Sequence, residues 1–514
     1  MFSHPYLTRK LSALFALCSL LALLLSAAPP PSGAAKKPST RALVTDRDKL
    51  TLSEQFTPPT QIGLTGAGDV FFTPGAAAFF RWDADDGAHA RILQENDPYP
   101  GFPGAEAQAI AQNMRVNEAG HVSMVNSFAA EGARNPRGVF IYDGANFLKV
   151  ALRGEVAPGT GGQLFANFFS TFISENDRVA FQAFTEPNII GSLGIFTGST
   201  SGPIEKIALV GETAPGTGGG TYATFTIVGF NDAGQVAFFS NILGGTTRRA
   251  VFVGTPTGVL KVAAAGEPAP GTTGTFNLQL NVNNLAFNGN GGVAFFSGVI
   301  AGGPNNRGIW VGDGTAPASK LVVPTDPTGT PLGGTFGFVG TRVYGFNDAG
   351  QVLFQSNPNG ATSTHALFLK SLSGTAQVVF SRGQVAPGGT TETFDTALEA
   401  TLNQNGKAAF AAALQGGASP VGWFLGSGVA APVEIALERE PAPGGGAFGI
   451  AAEIFPGTAQ LNENDEVAFF AEILGPNDTG VFRWTPTGGV ARVMSTSDQL
   501  PPDANTVIFT FMPG

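Results

Sequence analysis

Short runs in which apolar and polar residues alternate, each ended by Gly, Pro, Asn or Asp, fill the chain from about residue 54 onward. Alternation with period two puts successive side chains on opposite faces, so these runs predict half-buried strands. The stretch around residue 231 shows the unit. Thr224 to Phe230 (TFTIVGF) is β-branched and aromatic and predicts a strand. Asn231-Asp232-Ala233-Gly234 predicts a tight turn, because Asn and Asp bond their own backbone and Gly accepts positive φ. Gln235 to Ile242 predicts the second strand, Arg249 to Val253 the third and Val259 to Ala264 the fourth. The segment Gly266-Glu267-Pro268-Ala269-Pro270-Gly271 is then the longest and stiffest connection, leading to the next unit.

The turn and the strand after it (NDAGQVAF) recur almost unchanged from Asn347, and more loosely from Thr65, Asn117, Ser174, Asn288, Asn403 and Asn462. Successive starts lie 52, 57, 57, 57, 59, 56 and 59 residues apart. Four short antiparallel strands in about 57 residues match one propeller blade. A β-helix coil has a much shorter period, and a sandwich does not repeat its sequence eight times. The expected fold is therefore all-β, a β-propeller of about eight four-stranded blades. Their expected limits are 54–98, 102–154, 163–211, 221–266, 274–325, 335–382, 392–439 and 447–495. Seven blades is the alternative, if the degenerate first unit stays outside the ring. Thr506 to Met512 predicts one further strand, able to extend the weak first strand near Gln55-Phe56. The Phe of each VAF triad is expected to fill the space between adjacent blades.

This pattern resembles the bacterial tandem-repeat proteins known for an NxxGxxAF motif. The resemblance rests on Asn231, Gly234, Ala237 and Phe238, and on Asn347, Gly350 and Phe354, where Leu353 replaces the Ala. It covers nearly the whole chain after the leader and implies an exported bacterial protein with no activity to transfer. Ser174 in place of Asn, Asp177 and Asp465 in place of Gly, and Met124 in place of Phe are departures from the motif. The family's surface-anchoring tail has no counterpart before Gly514, so attachment by that route is not expected.

Met1 to about Ala27 reads as a cleaved signal peptide: Arg9 and Lys10, an apolar run from Leu11 to Leu25, then small residues. That run is shorter than the roughly 20 residues a spanning helix needs. Residues 28–53, with Pro29-Pro30-Pro31, read as a flexible linker, and 54–514 as the repeat domain. No second long apolar segment follows, so no membrane span is expected in the mature chain. The sole cysteine, Cys18, lies in the leader, which removes disulfides, thiolate metal sites and a cysteine nucleophile. Net charge is −10, and losing Arg9 and Lys10 makes it −12. That balance argues against nucleic acid, whose binding rests on Lys and Arg against phosphates.

The candidate site is the acidic position of the Gly-Glu-x-Ala-Pro-Gly connection: Asp97, Glu155, Glu212, Glu267, Asp326, Glu440 and Asp498, with Gln384 in the sixth unit. In a closed propeller these would form a ring on one face and offer hard oxygen ligands, for which calcium is the fitting cation. Calcium needs six to eight oxygens together, and one carboxylate per blade is sparse. The competing reading, that each carboxylate accepts backbone N–H groups and pins its own loop, fits that sparseness better. No cofactor is otherwise expected.

Asp83-Ala84-Asp85-Asp86-Gly87 lacks the spacing and the bidentate Glu of a calcium loop and reads as a hairpin tip. His89, His121 and His365 lie in different units without zinc-ligand spacing. No Gly-x-Ser-x-Gly elbow occurs, since Thr200 takes the Ser place in Gly198 to Gly202. The strongest positions are structural, so the expectation is an exported, non-enzymatic propeller that binds an extracellular or cell-envelope protein or polysaccharide. The alternatives are a carbohydrate-active lyase or glycosidase acting at the central channel, and a passive surface or matrix component.

Overall fold

The computed structural model describes residues 61–73, 78–130, 136–186, 192–388, 391–450, 459–475, 478–495 and 498. The expected leader, the linker and the strand at Thr506 to Met512 lie outside them. The described residues form eight antiparallel sheets, each with its strands in chain order, arranged as an eight-bladed β-propeller. The degenerate first unit is a full blade, built from Gln61–Leu64, Val70–Thr73, Ala78–Trp82 and His89–Gln94.

Blade 4 follows the expected elements closely: Thr226–Phe230, Val236–Leu243, Arg249–Thr255 and Gly258–Ala264, with a two-residue strand Thr221–Tyr222 ahead of them. In blades 4, 5 and 8 the first strand is split in two, and both pieces pair with the second strand. The first strands of neighbouring blades touch all the way round, including Gln61–Leu64 against Ala459–Leu461, so they enclose the axis. The antiparallel meander puts the hairpins between first and second strands on one face. The blade-to-blade crossings fall on the other.

The core is not one centre but eight wedges, one at each blade interface. Period-two alternation in the second strand explains the division. Val236 and Phe238 face blade 3, packing with Ala180, Ile195 and Ile207, while Ala237 faces blade 5 with Leu285 and Phe295. Phe238 is fully buried and stacks on Phe252 at 5.3 Å, with Phe225 edge-on at 5.7 Å. A bulge between the third and fourth strands recurs in every blade, from Phe79/Phe80 to Val481/Phe482, and adds local twist.

Candidate functional site

The repeated Asn does more than shape its turn. Its Oδ1 accepts the N–H four residues on, from Gln235 to Asn231 at 2.9 Å and likewise at Asn117, Asn288, Asn347, Asn403 and Asn462. Its Nδ2 donates to a backbone carbonyl of the next blade's hairpin. Asn231 reaches Gly289 at 3.0 Å, Asn288 reaches Asn347 at 3.1 Å, and Asn403 reaches Asn462 at 3.0 Å. Asn462 completes the circle on the Thr65 carbonyl at 2.8 Å. All these Asn side chains are buried, so each bond replaces a solvation that neither partner retains. The departures from the motif fit this stitch. Asp177 and Asp465 hold φ of 59° and 64° in the glycine place, and each carboxylate accepts the amide of the preceding blade's Asn, Asn117 at 3.1 Å and Asn403 at 2.9 Å.

The residue after the Asn is the hairpin tip: Gly66, Glu118, Glu175, Asp232, Gly289, Asp348, Gln404 and Glu463 in turn. Several of these tips accept the N–H of the preceding tip. Glu118 donates to Glu175 Oε2 at 2.9 Å, Glu175 to Asp232 Oδ1 at 2.7 Å, and Gln404 to Glu463 Oε2 at 2.9 Å. The result is a crown of five acids and one Gln around the axis. Desolvation, then the charges of Glu175 and Glu463, push Glu118 up to about 7. Desolvation also raises Glu175, with Asp232 and Asp177 adding to it, and Glu463, with Asp465 and Asp348 adding to it.

The acids singled out from the sequence stand on the opposite face, one per blade. Each accepts the N–H three residues earlier: Leu152 to Glu155 at 2.8 Å, Leu209 to Glu212 and Ala264 to Glu267 at 2.9 Å, Leu437 to Glu440 at 3.1 Å. Gln94 to Asp97, Val323 to Asp326 and Ser495 to Asp498 repeat the contact, and Ser381 makes it to Gln384 at 3.2 Å. Six of these acids also pair with a base six residues before them. These bases are Lys149, Lys206, Lys261, Lys320 (2.6 Å), Arg492 (2.9 Å) and, more loosely, Arg91 (3.9 Å). Among the described residues no three His, Cys, Asp or Glu stand close enough together to share a metal ion.

Blade 7 breaks the pattern, with Glu434 where six blades carry Lys or Arg and blade 6 carries Val378. Desolvation and Glu440, by charge and by hydrogen bond, raise it to about 7. The three histidines are likewise separate. His121 meets Asp177 at 2.8 Å, His89 meets the Val493 carbonyl, and buried His365 bridges Asn357 and Thr396.

The sequence reading missed the kink in the inner strand of blade 2. Ala105–Val116 holds two non-glycine residues in the left-handed region, Ala111 at φ 49° and Asn113 at φ 55°. Buried Asn126 accepts the Ala111 N–H at 2.6 Å, Thr171 of blade 3 donates to the Asn113 carbonyl at 2.7 Å, and Gln61 of blade 1 accepts the Met114 N–H. The nearest sequence signal is the poor strand composition of Gln108 to Arg115, which is too weak to announce a kink.

An eight-bladed propeller with a stitched inner ring is thus the class of protein. The chain belongs to a family of unknown function, DUF7453, whose model matches residues 34–247, 188–323 and 243–513. No curated protein matches it. Among solved structures it is similar to oligogalacturonate lyase from Vibrio parahaemolyticus, at 12% identity over 60% of this chain and 76% of that one, with a TM-score of 0.31. It is also similar to dipeptidyl peptidase 4 from Porphyromonas gingivalis, at 11% identity over 80% and 64%, with a TM-score of 0.38. Among the described residues no helix is long and apolar enough to cross a membrane.

Proposed function

We propose that the protein is an exported, non-enzymatic scaffold that binds an extracellular or cell-envelope ligand, a protein or a polysaccharide. The leader at Met1 to Ala27 supports export. One observation carries the binding reading. At each hairpin the first position is buried and bound into the ring, while the next, exposed in six of the eight, varies from Gly to Asp, Glu and Gln. A fixed frame presenting variable tips is how rigid scaffolds carry recognition. On the opposite face Glu155, Glu212, Glu267 and Asp326 are each engaged within their own blade, which fits a structural role for those acids.

The test immobilises residues 28–514 and offers cell-wall polysaccharide, extracellular polysaccharide and envelope-protein fractions. The triple variant Glu118→Gln/Glu175→Gln/Glu463→Gln is run alongside. One class should be retained by the wild type and less by the variant. Retention of none would end the binding reading. Release of reducing ends or unsaturated sugars from either polysaccharide would replace it with an enzyme.

A further inference from the structure

Two arginines on the inner strands have opposite fates. Arg342, on the first strand of blade 6 (Thr335–Phe346), is paired with buried Glu399 on the first strand of blade 7, at 2.7 Å and 2.6 Å to its two oxygens. Arg115 has no carboxylate partner among the described residues. Its guanidinium donates once, to the Met114 carbonyl at 2.9 Å, and lies over the Phe172 ring at 5.2 Å. A guanidinium carries five N–H donors, so most of its capacity is open. The side chain is exposed to solvent, yet the surrounding protein thins its hydration and lowers its pKa.

Its place in the repeat is equally singular. Two residues before the motif, the other blades carry Gly63, Phe172, Gly229, Ala286, Gly345, Thr401 and Gln460, none of them charged. A Cβ at Gly63, Gly229 or Gly345 would press on the next blade's inner strand, at Val116, Phe287 and Leu402. Small side chains are the commoner choice there, at five of those seven places, with Phe172 and Gln460 as exceptions. Blade 2 departs from it through the kink at Ala111 and Asn113, which bonds from blades 1, 2 and 3 hold in place. Left-handed backbone at a non-glycine residue costs on the order of 1–3 kcal/mol and persists only where its surroundings over-determine it. Asn113, also exposed, stands two residues before Arg115 on the same strand.

We propose that Arg115, with Asn113 beside it, anchors a binding site for an oxyanion at the inner rim of the ring, taking a carboxylate, phosphate or sulfate group of a ligand. Arginine suits such a group because its planar fork meets two oxygens at once. In a chain of net charge −10, most other arginines with a side-chain partner face a carboxylate, Arg81, Arg178, Arg382 and Arg483 among them. A solvent-exposed guanidinium left without one keeps its donors open to a charged ligand. The site deepens the binding reading, on which it rests, by adding an anionic group to the ligand's chemistry.

The experiment titrates the protein with phosphate, sulfate and acetate by calorimetry, with chloride holding ionic strength constant. Wild type, Arg115→Gln, Arg115→Lys and the surface control Arg248→Gln are compared. At least one anion should bind wild type and Arg248→Gln saturably with one site per chain. That binding should weaken at least about tenfold in Arg115→Gln and less in Arg115→Lys. Preference for acetate would assign a carboxylate ligand, and preference for phosphate or sulfate would assign those groups. No saturable binding in wild type, or equal binding in a folded Arg115→Lys and Arg115→Gln, would overturn the site.

Discussion

Asn462 and Thr65 lie 397 positions apart, yet the Asn462 amide donates to the Thr65 carbonyl at 2.8 Å and joins the last blade to the first. Asn464 repeats the link to Gly66 at 2.6 Å, and an apolar wedge running from Ile62 to Trp82 on one side and Ala468 to Met494 on the other fills the same seam. In blades 1 and 8, all described strands come from one end of the chain. Among the described residues this seam is the interface that no crossing segment spans.

Replacing Asn462 should therefore cost more than replacing its counterparts. Asn462→Ala removes one of the two donors to the Thr65 carbonyl, which keeps the Gly68 N–H, and frees the Glu466 N–H, a loss of about 1–3 kcal/mol. Asn462→Asp keeps the volume but sets a carboxyl against the Thr65 carbonyl and Glu466 Oε2, which separates bonding and charge from packing. Denaturant unfolding should show both variants destabilised, with unfolding accelerated more than in Asn288→Asp, whose interface a chain crossing also holds. Equal rates would mean the seam is not where the ring opens.

Phe238→Ala empties the middle of the wedge between blades 3 and 4. Its ring is fully buried among Tyr222, Phe225 and Phe252, so truncation should cost about 3–5 kcal/mol. Phe239, one residue on, is only half-buried, and Phe239→Ala should cost distinctly less. Thermal unfolding of the two variants checks the period-two division of the strand.

The loop acids predict a null response to chelation. Glu212 and Glu267 are each engaged by one backbone N–H and one Lys, so EDTA should leave the melting temperature where it is. Glu267→Ala should cost about 0.5–1.5 kcal/mol by freeing the Ala264 N–H. A rise in melting temperature with millimolar calcium, abolished in Glu212→Ala and Glu267→Ala, would instead make these loops a cation site.

How far the sequence carried the fold can be judged at single residues. Asn231 and Gly234 announced their turn because turn chemistry is local, and the 57-residue period announced the blades. That Asn231 also reaches Gly289 was hidden, since a side-chain amide bonding across a period leaves no mark beyond its recurrence. Asp326, a loose match in sequence, makes the same contacts as Glu267, because a shorter acid serves if its loop moves with it. The kink at Ala111 was beyond reach: nothing about alanine signals positive φ, and only bonds from three blades impose it.

Glu434 offers the most discriminating test of the loop contacts. Its carboxyl occupies the place of the base that pairs with the loop acid in six blades, and it faces Glu440 instead. Its folded pKa, at about 7, lies above the ordinary carboxyl value of 4.5. The folded state therefore binds a proton more tightly than the unfolded one. The pair's contribution is complete below about pH 4.5 and is lost as pH rises through about 7. Glu118, raised to about 7 as well, adds a decline over the same interval. Comparison of variants at each pH isolates Glu434. Glu434→Gln should flatten part of the decline, and Glu434→Lys should recreate the ion pair of blade 4, stabilising by up to about 1 kcal/mol at pH 8, the range for half-exposed pairs. At pH 4 the Lys variant should gain nothing over wild type, because protonated Glu434 then keeps its own contact with Glu440. Denaturant midpoints at pH 4, 6 and 8 decide it: a pH-independent difference between Glu434→Lys and wild type would show that the two carboxyls do not share a proton.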